Sequence, residues 1–187
     1  MKRSIYRVVV LTSLVAATAA CTSAGGQDKD AKPSTAPPSV SAPSTPADET
    51  ETAKKDASAA YQSYWKEMEK LYGDPAGKSG LKNFAASSAL DNAEADAKRA
   101  HSQGYVYAGS VAIVNSAVVG TELAGQTPKV TLTNCIDISQ WNVLDAKTKS
   151  PAVLPSGRLT KYVIASTVER WPEGWRVVRD EPQGKPC

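Results

Sequence analysis

The chain has 187 residues, 41% hydrophobic and 22% charged, with three cysteines and a formal net charge of +3. That length sets a prior of one domain with residues to spare for a tail. The composition excludes collagen-like, coiled-coil and wholly disordered classes, and three cysteines are too few for a disulfide-scaffolded miniprotein.

Lys2, Arg3 and Arg7 precede an apolar run from Val8 to Ala20, and no acid lies in residues 1–21. A basic start, a short apolar core and then small residues form a secretory signal. The run of 13 residues is shorter than the ~20 needed to span a bilayer. Removal of this segment leaves 19 basic against 19 acidic residues, and a neutral chain offers no electrostatic case for nucleic acid. The segment ends Thr18-Ala19-Ala20-Cys21, similar to a bacterial lipobox, with Thr18 in place of the usual large aliphatic residue. The rival reading is ordinary cleavage after Ala17-Thr18-Ala19. Cysteine parity favours lipidation, because an odd cysteine in a secreted chain is a free thiol or an intermolecular link. Residues 1–20 are therefore expected to be a lipoprotein signal peptide. Cys21 would carry a diacylglyceryl anchor, placing the protein at the extracytoplasmic face of the cell membrane.

Residues 21–50 hold five of the twelve prolines, and Val40 is their only large apolar residue. Such a stretch buries too little to offset ordering entropy and reads as a disordered tether. Residues 51–187 form the expected domain. From about Thr52, Ala53, Ala57, Tyr61, Tyr64, Trp65, Met68, Leu71 and Tyr72 recur at helical spacing, with Glu51 and Lys55 placed to pair at i,i+4. Gly73-Asp74-Pro75 stops that helix. A second helix is expected from about Leu81 to Gln103, faced with alanines, paired outside by Glu94 and Lys98, and closed by Gly104.

After Gly104 the period becomes two. Tyr105–Gly120 reads as one strand with a bulge at Gly109. In the next strand Val130, Leu132, Ile136 and Ile138 share one face, while Thr131, Thr133, Cys135, Asp137 and Ser139 share the other. Residues 145–157 read as a loop. Leu159–Arg170 is a third strand, Trp171-Pro172-Glu173-Gly174-Trp175 a tight turn, and Trp175–Arg179 a fourth strand. Helices followed by strands predict an α+β fold, two N-terminal helices packed on a curved four-stranded antiparallel sheet.

Tyr61-x-x-Tyr64-Trp65, Gly104-Tyr105, Thr133-Asn134-Cys135-Ile136-Asp137 and Gly174-Trp175-Arg176-Val177 resemble the nuclear transport factor 2-like fold, as carried by small secreted actinobacterial lipoproteins. The resemblance covers roughly residues 51–187. It implies a cone with a pocket between helix and sheet, used for catalysis in some members, for ligand binding in others, and closed in others. It also implies a Cys135–Cys187 disulfide, which an oxidising compartment permits. That bond would fasten a C-terminal tail with no other evident anchor.

Chemistry is sparse. His101 is the single histidine and sits at a helix end, where a cation suits the dipole. No Cys-x-x-Cys, P-loop, dinucleotide fingerprint or nucleophile elbow occurs. No catalytic residue, metal ligand or cofactor is expected. Asp137 reads as a solvated strand residue, a partner for Arg158 or Lys161, or, if its face lines a pocket, a base or an anchor for a polar ligand. Of the aromatic stock, Tyr61, Trp65 and Tyr162 join Asp137 as candidate pocket residues. The expectation is a non-catalytic module for a small ligand or an envelope protein. The alternative is a small hydrolase or isomerase working in the cone pocket.

Overall fold

The computed structural model describes residues 46–187; the signal, Cys21 and most of the tether lie outside the described residues. Helix α1 spans Pro46–Gly73 and buries Ala53, Ala57, Ala60, Tyr61, Tyr64, Trp65, Met68 and Tyr72 along one stripe. It begins five residues before the expected boundary, with Asp48 and Glu49 in its first turn, where acids suit the helix dipole. The expected Glu51–Lys55 pair is replaced by Glu51–Lys54 at 2.8 Å.

Helix α2 spans Ser87–Ser102, shorter than the periodicity suggests, and buries Ala89, Ala93 and Ala97. A 3-10 turn at Leu81–Asn83 precedes it. The break has a backbone cause. The Val177 N–H donates to the Phe84 carbonyl at 2.8 Å, and the Ala86 N–H donates to the Val177 carbonyl at 2.9 Å. These groups are therefore spent on the sheet and cannot extend the helix. Glu94 pairs with Lys82 at 3.6 Å rather than with Lys98.

The fold is α+β with two antiparallel sheets and no closed barrel. β2 (Ala112–Glu122), β3 (Lys129–Asp137), β5 (Lys161–Trp171) and β6 (Gly174–Pro182) form a four-stranded sheet in the order β2-β3-β5-β6. β1 (Tyr105–Gly109) and β4 (Trp141–Asp145) form a separate ribbon. The single strand expected over Tyr105–Gly120 is thus two strands in two sheets. Gly109 has φ +99°, and a Cβ there would collide with the Gln140 carbonyl, so only glycine lets β1 close onto β4. Two residues later the Val111 N–H donates to Glu69 Oε1 of α1 at 2.6 Å, outside either ladder.

The faces of β3 divide as the alternation predicts: Val130, Leu132 and Ile136 are buried, with Asn134 among them. Helix residues from Ala57 to Ala97 pack on that inner face with Ile164, Val168 and Val177. The Pro172-Glu173 hairpin closes where expected, with Trp171 paired to Gly174. β6 runs on to Pro182, past the expected end at Arg179. The tail then has its own anchor: the Gln183 N–H donates to the Val163 carbonyl and the Val163 N–H to the Lys185 carbonyl, both at 2.9 Å. Cys187 crosses from there to Cys135 on β3, with Cα atoms 5.8 Å apart, closing the disulfide on the outer face.

Candidate functional site

A cavity of about 340 Å³ lies between the two helices and the inner face of the sheet. Five aromatic side chains form much of its wall: Tyr64, Trp65 and Tyr72 from α1, Trp141 from β4 and Tyr162 from β5. Their rings cross steeply, Tyr64 on Trp65 at 79°, Trp65 on Trp141 at 80°, and Tyr72 on Trp141 at 64°. Helix α2 shapes the opposite wall. Ala89 and Ala93 leave the space open because they carry only a methyl, and the exposed Asn92, Asp96 and Arg99 make a polar rim. Asp96 and Arg99 pair with each other at 2.8 Å.

The inner face of a sheet packed on helices is ordinarily aliphatic. Here a polar chain crosses all four strands. Ser116 Oγ of β2 donates to Asn134 Oδ1 at 2.6 Å. Asn134 Nδ2 of β3 donates to Ser166 Oγ at 2.9 Å. Ser166 Oγ of β5 donates to Asp180 Oδ1 of β6 at 2.6 Å. Asn134 and Ser166 are fully buried, a placement tolerated only because each is hydrogen-bonded. Every donor in the chain points toward Asp180, so the bonds polarise one another toward its carboxylate.

Asp180 keeps part of its surface open to the cavity, while its carboxyl packs among Ser166, Tyr61 and Tyr64. Burial pushes the carboxyl up to about 7, against the opposing pull of Ser166, Tyr61 and Tyr64. Burial likewise raises Tyr61, Tyr64 and Tyr162, with the Asp180 charge as the second cause in each. The Tyr61 hydroxyl lies near Ser166 and Asp180 but makes no hydrogen bond of acceptable geometry. The indole N–H groups of Trp65 and Trp141 are also buried without an acceptor.

Of the residues singled out in the sequence, Trp65 and Tyr162 line the cavity. Tyr61 does not: it is 1% exposed, stacked behind the wall on Tyr64 at 6.0 Å. Asp137 lies outside the cavity, as a partner of Lys161. It ends β3 on the outer face, where it accepts from the Ser139 N–H at 2.9 Å and pairs with Lys161 at 3.7 Å. The Ser139 N–H, with Lys161 beside it, holds Asp137 below the usual carboxylate range. Period-two geometry accounts for this placement, since Cys135 and Asp137 share the face opposite the helices. His101 belongs to structure: its Nε2 lies 3.1 Å from the Tyr72 carbonyl, so it caps the end of α1 as well as closing α2. Asp180, Asn134 and Ser166 were not singled out. The readable signal was a polar residue at inward phase in two neighbouring strands, Asn134 between Leu132 and Ile136, and Ser166 between Ile164 and Val168. Among the described residues no group of acids, cysteines and histidines could hold a metal, and no helix is long and apolar enough to cross a membrane.

No family model matches the chain, and no curated protein matches it. Among solved structures, it is similar to the intermembrane space region of the chloroplast protein ARC6, at 15% identity and a TM-score of 0.49, over 70% of this chain and 95% of that one.

Proposed function

We propose that this chain is a membrane-anchored extracytoplasmic lipoprotein whose folded domain is a non-catalytic ligand-binding module of nuclear transport factor 2-like type. One observation carries the binding reading: an aromatic-walled cavity with a carboxyl held in it by a buried polar chain. Concave, largely apolar sites with a few placed polar groups are how proteins take small ligands. Two helices lying against an antiparallel sheet, with the cavity between them, suit the fold type. The anchor rests on the sequence before Cys21, and the Cys135–Cys187 disulfide suits an oxidising compartment. Mass spectrometry of the mature N-terminus tests the anchor, and a diacylated Cys21 is expected. An unmodified chain beginning at Ala20 overturns it. A fragment screen read by tryptophan fluorescence tests the binding. Hits are expected whose signal is lost in Trp141→Phe; a screen with no hits, or hits indifferent to Trp141, removes the reading.

A second reading has a specific observation in its favour. A carboxyl titrating near 7 beside two tyrosines is suited to general acid–base work, as a small isomerase or hydrolase would use it. The cavity wall offers it no histidine, free thiol or metal-ligand set, and the binding module is therefore the preferred reading. A turnover that Asp180→Asn abolishes would reverse that order.

A further inference from the structure

The cavity combines three things that an apolar pocket does not need: crossed aromatic rings, an uncompensated acid and a purpose-built support for that acid. Its walls carry two carboxylates, Asp96 and Asp180, against one guanidinium, Arg99. Arg99 is already paired with Asp96 at the rim. Asp180 therefore faces the cavity with the Ser166 hydroxyl donating to it but no counter-charge on the cavity wall.

We propose that the cavity takes a small substituted ammonium ion, its cationic head held against the aromatic wall of Trp65, Trp141 and Tyr72 and against the Asp180 carboxylate. The proposal rests on the ligand-binding reading and gives it a chemical class. Aromatic faces attract a desolvated cation through the ring quadrupole, with tryptophan the strongest. Trp65 and Tyr72 each meet Trp141 edge to face, and together they give the cavity an aromatic wall on the side shared with Asp180. An anionic ligand would meet Asp180 unfavourably. A purely apolar ligand would leave the carboxyl without a role, and the Ser116–Asn134–Ser166 chain would cost desolvation for nothing. At about 340 Å³ the cavity is at the small end of ligand pockets.

Binding is coupled to a proton. Without a ligand Asp180 is half protonated near pH 7; the cation supplies the missing charge and drives the proton off. The groups facing Asp180 are Tyr61 and Tyr64 of α1, Ser166 and Tyr162 of β5, and the Asp96–Arg99 pair of α2 across the cavity. Burial raises the three tyrosines above their ordinary range, so they stay neutral. Asp180 is then the group that changes charge between pH 6 and 8.

The test is isothermal titration of the full chain at pH 8 with choline, against 3,3-dimethylbutan-1-ol, which has the same shape and no charge. Choline is expected to bind at least about tenfold tighter. Asp180→Asn should remove that advantage while leaving the neutral alcohol's affinity intact. A measurement on the unaltered chain stands beside the variant. Choline affinity should fall about tenfold from pH 8 to pH 6, with a proton released on binding at pH 6. Equal affinity for the two probes, or a choline affinity that ignores pH, overturns the ammonium assignment and leaves the ligand-binding reading standing. Binding of other fragments in the cavity without binding of choline does the same. No binding by any probe or fragment ends both.

Discussion

The two faces of the four-stranded sheet each carry an aspartate near a strand end, and the two acids have opposite fates. On the outer face, Asp137 meets solvent, a backbone N–H and a lysine, and ionises more readily than a free aspartate. On the inner face, Asp180 meets serine, tyrosine and packed aromatics, and ionises only near neutrality. Residue type and position along a strand do not separate them. What separates them is which side of the pleat each occupies and what the helices bring to that side. The outer face holds the disulfide and is a stability surface. The inner face holds the cavity and is the chemical one.

The largest effect expected is on the outer face. Replacing both cysteines by serine releases a loop of 52 residues, worth about 4 kcal/mol in the chain-entropy account. Denaturant melts should show that loss with the pH dependence of stability unchanged, because the bond lies on the face away from Asp180. A changed pH dependence would mean that the two faces are not separate. Next is Asn134→Ala, which empties space and strips partners from Ser116 and Ser166. A cost of about 2–3 kcal/mol is expected. Asn134→Leu, which fills the space, should cost less in stability. Both should weaken the cavity's hold on a ligand, since the chain no longer supports Asp180. Ligand affinity unchanged in Asn134→Leu would show the polar chain to be structural only.

How much of this was legible in the sequence follows from the range of the forces involved. Helix stripes, the inward and outward sets of β3 and the Pro172-Glu173 turn depend on neighbours within a few residues, and the residues alone give them. The β1–β4 ribbon depends on Gly109 approaching Gln140, some thirty residues away, and Trp141–Asp145 is too short to announce itself. The start of α2 lies later than periodicity predicts because the Phe84 carbonyl accepts from the Val177 N–H and the Ala86 N–H donates to the Val177 carbonyl, a partner that helical periodicity cannot reveal. The site was half legible. Trp65 and Tyr162 followed from aromatic content, whereas Asp180 sits beyond a register shift at Thr167/Val168 that places Val177 and Val178 both in the core and breaks simple alternation. Asp137, by contrast, lies in the regular alternation of β3, whose apolar phase marks the face that the helices cover.

The smallest effect per step of pH is also the one that isolates the two acids. Asp180 has its carboxyl raised from 3.8 to about 7, so the native state holds a proton that the unfolded chain has already released. Stability should then be greatest at acid pH and fall as pH rises from about 4 to about 7, by at most about 1.4 kcal/mol per pH unit. Asp137 has the opposite sign: its carboxyl is lowered, so its contribution is present above the ordinary carboxylate range and fades as pH falls through it. Urea melts at intervals from pH 4 to pH 8 should show the downward slope in the unaltered chain and a flattened one in Asp180→Asn. Asp137→Asn should leave that slope in place and change only the acid limb, weakly, because its partners are exposed and screened by solvent. Should Asp137→Asn rather than Asp180→Asn flatten the slope, the outer face would hold the tuned acid, and the cavity would lose the group that gives it a chemistry.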